Sequence, residues 1–274
     1  MAKKITRKNF YMEIRRNFGR FISILFIVAL GVAFFSGIRA SEPSMRITGD
    51  AYFDESDLMD IKAVSTLGIT KEDVSAVGNV KGVGKAEGAY SADFLNIKNK
   101  KQYVLHVMSG VKDMNKITVS EGRMPEKVGE CLVDEWYAQQ NDLKTGDVLN
   151  LSSGNEDDLK DTLKDTTYKI TGIGSSSEYL SRSRGSTGIG TGTLSGFIVV
   201  QPSEFSSDIY TEVYLTAKGA KQERAYSDAY KNKVKQLEEE IKDISKIENE
   251  KRLKSVQKEA EEKIDKKEKK FKKR

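Results

Sequence analysis

The feature that most constrains this chain is an unbroken apolar run at residues 21–38. It carries no charge, and Ser23 and Ser36 are its only polar side chains. At about 1.5 Å per residue such a run covers roughly 27 Å as a helix, close to the hydrocarbon thickness of a bilayer. It therefore reads as a transmembrane helix. A buried helix of a soluble core would be shorter or show a polar stripe, and none is visible. A cleavable signal peptide is the other competing reading; the long basic leader and an exit, Gly37, Ile38, Arg39, Ala40, without a small-x-small site argue against cleavage. Both secretory readings put the following residues across the membrane.

Charge orients the span. Residues 1–20 hold Lys3, Lys4, Arg7, Lys8, Arg15, Arg16 and Arg20 against the single acid Glu13, whereas the far flank offers Arg39 and Arg46 near Glu42 and Asp50. The N-terminus is expected in the cytoplasm and the bulk of the chain outside the cell membrane. Ile5, Phe10, Tyr11, Ile14 and Phe18 fall roughly on one helical face, which suits an amphipathic helix in the inner headgroup layer before the chain turns into the span. A plain positive-inside leader explains most of the cations equally well.

The net charge of +5 averages three unlike regions. Residues 1–20 carry +6, residues 21–220 carry −7 and residues 221–274 carry +6. The bulk is thus acidic and expected outside the cell, which argues against a nucleic-acid partner. Cys131 is the only cysteine, so no intrachain disulfide forms and the outer domain must be held by core burial. His106 is also alone, in the apolar run from Tyr103 to Met108, and reads as an ordinary strand residue. One His and one Cys are too few for a zinc site or a Cys-His pair, and no catalytic, metal or cofactor residues are read.

Beyond the span, residues 41–60 mix Pro43, Gly49 and acids and read as irregular or briefly helical. A strand is expected over 58–65, and Thr70 with Asp73 is close to a capping box that opens a helix over about 71–79. Lys85 to Lys98 reads as a strand, and Lys98, Asn99, Lys100 and Lys101 as the turn of a hairpin leading into 102–111. Strand, helix, strand, strand points to an α+β domain with a mixed sheet, over residues 41–218, large enough to bury a proper core.

Within 117–133, Glu121 and Gly122 form a turn, Pro125 an extended exit, and Gly129 and Glu130 lead into a strand at 131–133. A short helix is expected at 134–140, a turn at Lys144, Thr145, Gly146 and Asp147, and strands at 148–151, 168–173, 196–200 and 211–215. The acidic loop Asn155, Glu156, Asp157, Asp158 with Asp161 lacks the ligand spacing of an EF-hand and reads as solvated. Residues 174–195 are rich in Gly, Ser, Thr and Arg and read as a flexible loop. Gly188, Gly190 and Gly192 follow no strand, open no helix and lack the Gly-Lys-Thr ending, so no nucleotide site is expected.

From about residue 219 to Arg274 the composition changes abruptly to Lys, Glu, Asp, Ala, Ile and Leu, predicting one long helix of about 80 Å. Val234, Leu237, Ile241 and Ile244 step by three and four, as a coiled-coil seam does, and Leu253, Val256 and Ala260 resume the stepping after a phase break at Ile247. Two partial seams predict a narrow interface with one partner helix; a solitary solvated helix is the alternative.

Three features together resemble one family. They are the leader Arg15, Arg16, Asn17, Phe18, Gly19, Arg20 running into the apolar span; the Glu121, Gly122, Arg123, Pro125 turn followed by Gly129, Glu130, Gly146 and Asp147; and the strand from Tyr168 to Ile173. In order and spacing they look like the N-terminal half of an FtsX-like permease with a MacB-like extracytoplasmic core domain, over about residues 7–215. The resemblance implies a permease subunit of an ABC transporter, served by a separate cytoplasmic ATPase and by remaining permease spans or a second permease. It also implies a core domain that couples ATP-driven motion to export, lipid handling or cell-wall regulation without catalytic residues of its own, the eight motif residues being a structural signature. A coiled-coil insertion in the outer domain is known in some Gram-positive-type members. Such permeases carry at least four spans, whereas hydropathy shows one here and the sequence stops within a charged helix, so a truncated gene or an N-terminal fragment is expected. The alternative is a self-contained single-span protein whose outer domain and coiled coil bind a partner.

Overall fold

The computed structural model describes residues 2–154 and 161–271, with side chains from residue 9 onward and only in part beyond residue 258. The acidic loop read at residues 155–158 lies outside them. The chain divides into two compact units, residues 1–50 and 51–274.

At the N-terminus α1 (Ala2–Arg16) and α2 (Phe18–Glu55) meet at Asn17. Helical hydrogen bonds bridge the break, from Asn17 N to Glu13 O and from Phe21 N to Asn17 O, both at 3.0 Å. The turn expected between leader and span is therefore a one-residue irregularity. Phe26, Ile27, Leu30 and Phe34 each leave more than half their surface uncovered. Among the described residues α2 is the one helix long and apolar enough to cross a membrane.

The stretch read as irregular or briefly helical from residue 41 continues α2 as helix through Glu55 and contains Pro43. Pro43 lacks only its own N–H, and the turns around it are supported by the Arg46–Glu42 pair at 2.9 Å and by hydroxyl bonds from Ser41 and Ser44 to carbonyls one turn back.

The second unit is α+β. A three-stranded antiparallel sheet has the order β1 (Ile61–Ile69), β10 (Tyr210–Ala217), β2 (Val83–Ala89). Its outer strands are joined by α3 (Lys71–Gly78), a split β-α-β unit with the last strand inserted at its centre. The capping box forms as its residues demand: Asp73 N donates to Thr70 Oγ1 at 3.1 Å and Thr70 N to Asp73 Oδ2 at 2.7 Å.

The larger sheet runs β3 (Ser91–Lys98), β4 (Lys101–Ser109), β9 (Leu194–Val200), β6 (Glu130–Asp134), β8 (Thr167–Ser176), β5 (Ile117–Gly122), with β7 (Val148–Asn150) also on β8. The hairpin between β3 and β4 turns on Asn99 and Lys100, both at positive φ (52° and 64°), the backbone a two-residue turn of matching twist requires. The sheet then curls until the chain after β7 reaches β3, where Leu95 and Ser152 exchange backbone bonds of 2.9 and 2.8 Å. Phe94, Leu105, Val107, Val133, Tyr168, Ile170, Ile198 and Val200 fill the interior, lidded by Tyr137 and Ala138 of α4 (Glu135–Gln140).

One strand expected over Lys85 to Lys98 is two strands in different sheets. The break falls at Tyr90, whose ring packs on Phe205 (5.0 Å between centroids) and Tyr210 (4.8 Å) and whose N–H donates to Ser109 Oγ at 2.9 Å. The stretch expected as a Gly/Ser loop is shortened at both ends: β8 runs to Ser176 and β9 starts at Leu194.

The C-terminal helix α5 (Asp228–Phe271) starts later than residue 219, after turns that include Gly219 at φ +78°. Its first apolar stepping is not open to a partner helix. Leu237 (2% exposed) and Ile241 (5%), flanked by Val234 and Ile244, share a core cluster with Val77 of α3, Val80 of the turn after it, and Val213 and Leu215 of the small sheet. Spacing by three and four defines an apolar stripe but not what covers it, and here the chain's own sheet does. Farther along, Ile247, Leu253 and Ile264 are exposed and Val256 is half-buried; the side chain of Ala260 lies outside the described residues.

Candidate functional site

The eight motif residues, drawn from 121–130 and 146–147, gather on one stretch of β8. Gly122 ends β5 at φ +74°, and a Cβ there would stand 2.2 Å from the carbonyl oxygen of Thr171. Gly172 is equally tight, its position for a Cβ lying 2.3 Å from Arg123 O. Only glycines let the loop after β5 lie flat against β8, and Arg123 N then donates to Thr171 O at 2.9 Å.

From there Arg123 reaches across the loop to Glu130 in a two-pronged pair, Nη2 to Oε1 at 2.7 Å and Nη1 to Oε2 at 2.8 Å. Glu130 Oε2 also accepts the backbone N–H of Glu126 (2.9 Å) and Lys127 (3.3 Å), so one carboxylate closes the whole loop. The Arg123 guanidinium, then the Glu126 N–H, hold its pKa down to about 2. Pro125 O accepts from Gln201 Nε2, and Gly129, at φ +80°, gives its N–H to Glu204 Oε1. Glu121 Oε1 accepts from Thr145 Oγ1 at 2.6 Å. In that neighbouring turn Asp147 Oδ2 accepts Lys144 N at 2.9 Å, and Gly146 N donates to Ile170 O at 2.8 Å.

The polar contacts of this assembly run within the loop and its neighbouring turn, to β8, and to Gln201 and Glu204 of the connector after β9. Chemically it is a buttress. Among the described residues no group of three or more His, Cys, Asp or Glu is placed to hold a metal ion. Cys131 is buried in the core of the large sheet, where desolvation pushes its thiol up and away from reactivity. His106 Nδ1 lies 2.6 Å from Asp93 Oδ1 on the facing strand.

Two charge clusters, one half-buried and one buried, have no counterpart in the sequence reading. Lys62 on β1 lies 3.0 Å from both Glu178 and Glu212. Glu212 accepts in addition from Tyr214 Oη (2.7 Å) and Ser91 Oγ (2.8 Å), so the cluster ties the small sheet to the large one. Burial works against the Lys62 ammonium, but Glu178 and then Glu212 outweigh it and its pKa is raised. The second cluster pairs Arg184 with Asp134, which also caps α4 by accepting Trp136 N at 3.2 Å. Their ion pairs join residues 50 to 150 apart, and no local spacing in the sequence marks them.

No family model and no curated protein sequence matches this chain. Among solved structures it is similar to the extracellular domain of the noncanonic ABC-type transporter YknZ from Gram-positive bacteria, at 13% identity and a TM-score of 0.37, over 58% of this chain and 78% of that one. It is similar also to the periplasmic region of MacB from Actinobacillus actinomycetemcomitans, at 9% identity and a TM-score of 0.37, over 64% and 74% of the two chains.

Proposed function

We propose that this chain supplies the first membrane span and the outer domain of a permease subunit of the FtsX/MacB type. In this reading residues 21–38 cross the membrane with the N-terminus in the cytoplasm, and the α+β domain stands outside. A separate cytoplasmic ATPase supplies the energy, and remaining spans or a second permease complete the subunit. Export, lipid handling or cell-wall regulation is the outcome, with motion passed to the outer domain.

The observation that carries the reading is the convergence of Glu121, Gly122, Arg123, Pro125, Gly129, Glu130, Gly146 and Asp147 on one buttress of β8. A motif set that resembles a family signature is, in this fold, one connected set of turn and ion-pair contacts. The apolar composition of α2 and the cationic leader support the membrane placement and its direction. Reading the coding DNA beyond the codon for Arg274, and the neighbouring frames, tests the proposal: further apolar spans beside a Walker-type ATPase support it, and the lack of both sinks it.

A second reading, a membrane-anchored protein that binds a partner through a coiled coil, is favoured by the exposed Leu253 and Ile264, which fall on one face of the distal half of α5. In that case the same DNA encodes neither spans nor an ATPase, and cross-linking through cysteines placed at 253 or 264 captures a partner helix.

A further inference from the structure

The exit of α2 ties together parts of the chain that belong to different sheets. Its last turn closes in a cap: Ser56 N donates to Tyr52 O at 3.1 Å and Leu58 N to Phe53 O at 3.0 Å, with Asp57 at φ +47° in the left-handed position where a glycine usually stands. Two connectors meet this cap. Residues 110–116, which lead from β4 to β5 in the large sheet, bring Asn115. Its N–H donates to Asp57 O at 2.9 Å, its Oδ1 accepts Met59 N at 2.9 Å, and beside it Lys116 N donates to Ser56 O at 2.8 Å. Residues 218–227, which lead from β10 in the small sheet to α5, bring Lys221 and Tyr226. Lys221 Nζ donates to Asp54 O at 2.6 Å and to Asp57 Oδ1 at 2.7 Å, and the Tyr226 ring lies 6.3 Å from that of Phe53. Asp57 thus takes Lys221 on one carboxylate oxygen and Lys116 on the other. Asn115 (φ +48°) and Tyr226 (φ +67°) are left-handed as well, so three non-glycine residues in a costly backbone conformation converge on one helix end.

Chain connectivity by itself attaches α2 to the small sheet alone, through β1. We infer that the cap at Asp57 is a joint that couples the two sheets, because Asn115 and Lys221 both need the same left-handed backbone at Asp57, so that either connector, when seated, holds the cap in the form that seats the other. The strained backbone at Asp57, Asn115 and Tyr226 persists only while these bonds hold it. Loosening one connector therefore loosens the other, a reciprocal coupling between two segments that share no hydrogen bond among the described residues. In the permease reading, on which this last step rests, a displacement of the end of α2 reaches both sheets together. The coupling itself is a property of the chain alone and stands or falls without any other subunit.

Hydrogen exchange followed by mass spectrometry, on the full chain in detergent micelles, reads the joint in the fragments 53–60, 111–117 and 219–227. Lys221→Met removes an exposed ammonium on the small-sheet side, and exchange is expected to rise about fivefold or more at 111–117, where Asn115 N and Lys116 N are the bonded amides. Asn115→Gly keeps the left-handed backbone at 115 but removes the acceptor of Met59 N, and exchange is expected to rise likewise at 219–227. In both variants 53–60 exchanges faster and 194–200, the core strand β9, exchanges as in the parent. If each variant speeds exchange on its own side alone, the two sides are independent and the joint is overturned. An unchanged 53–60 fragment overturns it too, as does faster exchange at 194–200 to the same extent, which would make the effect a loss of the whole fold.

Discussion

Arg184 closes on Asp134, fifty residues earlier in the chain, in a buried fork: Nε to Oδ2 and Nη2 to Oδ1, both at 2.9 Å. The two side chains are 8% and 0% exposed. Arg184 Nη1 also donates to the carbonyls of Tyr179 and Ser181, and Arg182 lies over the Trp136 ring at 4.4 Å. The Gly- and Ser-rich stretch between β8 and β9 is thus tied to the start of α4 at two points. Truncating Arg184 strands a buried carboxylate, which costs about 3–5 kcal/mol. Arg184→Met should therefore lower the unfolding midpoint of the second unit sharply, read by fluorescence of Trp136, the single tryptophan. A loss below about 1 kcal/mol would mean that the fork contributes little.

Leu237 and Ile241 give a prediction opposite to that of a coiled-coil seam. Because they are buried under the chain's own small sheet, Leu237→Ala should cost about 2–5 kcal/mol of stability. It should leave the oligomeric state unchanged at protein concentrations where the domain stays folded. Leu253→Asp, at a position 45% exposed, should change stability by less than about 0.5 kcal/mol. Urea unfolding with light scattering on both variants separates the cases, and loss of self-association in Leu237→Ala would return that residue to an intermolecular seam.

These outcomes follow what the sequence made legible. The Thr70 and Asp73 cap and the turn at Asn99 and Lys100 were readable because they are closed by bonds between residues two or three apart. Gly122, Arg123 and Glu130 stood out as a set because their order and spacing resemble a family motif, whereas the ion pair that joins Arg123 to Glu130 was not read from the sequence. The break at Tyr90 was not, since its cause is the packing of Phe205 and Tyr210, more than a hundred residues away. Nor could stepping by three and four at Leu237 and Ile241 tell a facing helix from a facing sheet. Lys62 with Glu212, and Arg184 with Asp134, are pairs that only the tertiary fold creates.

The Arg123 and Glu130 pair predicts an acid response. The folded pKa of Glu130, about 2, lies below its ordinary value of 4.5, so folding favours the ionised form. The stabilisation is complete above about pH 4.5 and is lost as the pH falls toward 2. Glu130→Gln should accordingly be less stable than the parent near neutral pH, with the difference closing on acidification through that window. A difference that stays constant between about pH 6 and pH 2.5 would show that the carboxylate's charge is not what closes the loop.

Gly122 and Gly146 share a positive φ, 74° and 99°, but differ in what surrounds them. Any side chain is strained in that backbone region, at a cost of about 1–3 kcal/mol. At Gly146 nothing lies within 4 Å of an added Cβ, so Gly146→Ala should show that strain alone. At Gly122 the added carbon would stand 2.2 Å from Thr171 O and 3.0 Å from Thr145 Cγ2. The Thr171 oxygen is backbone and accepts Arg123 N–H, so it cannot turn aside without opening the ladder between β5 and β8. Gly122→Ala should therefore destabilise clearly more than Gly146→Ala and should release the Arg123 and Glu130 pair, visible as faster amide exchange at Glu126 and Lys127. Equal losses in the two variants would mean that backbone strain, and not the close approach to β8, is what demands glycine at the head of the buttress.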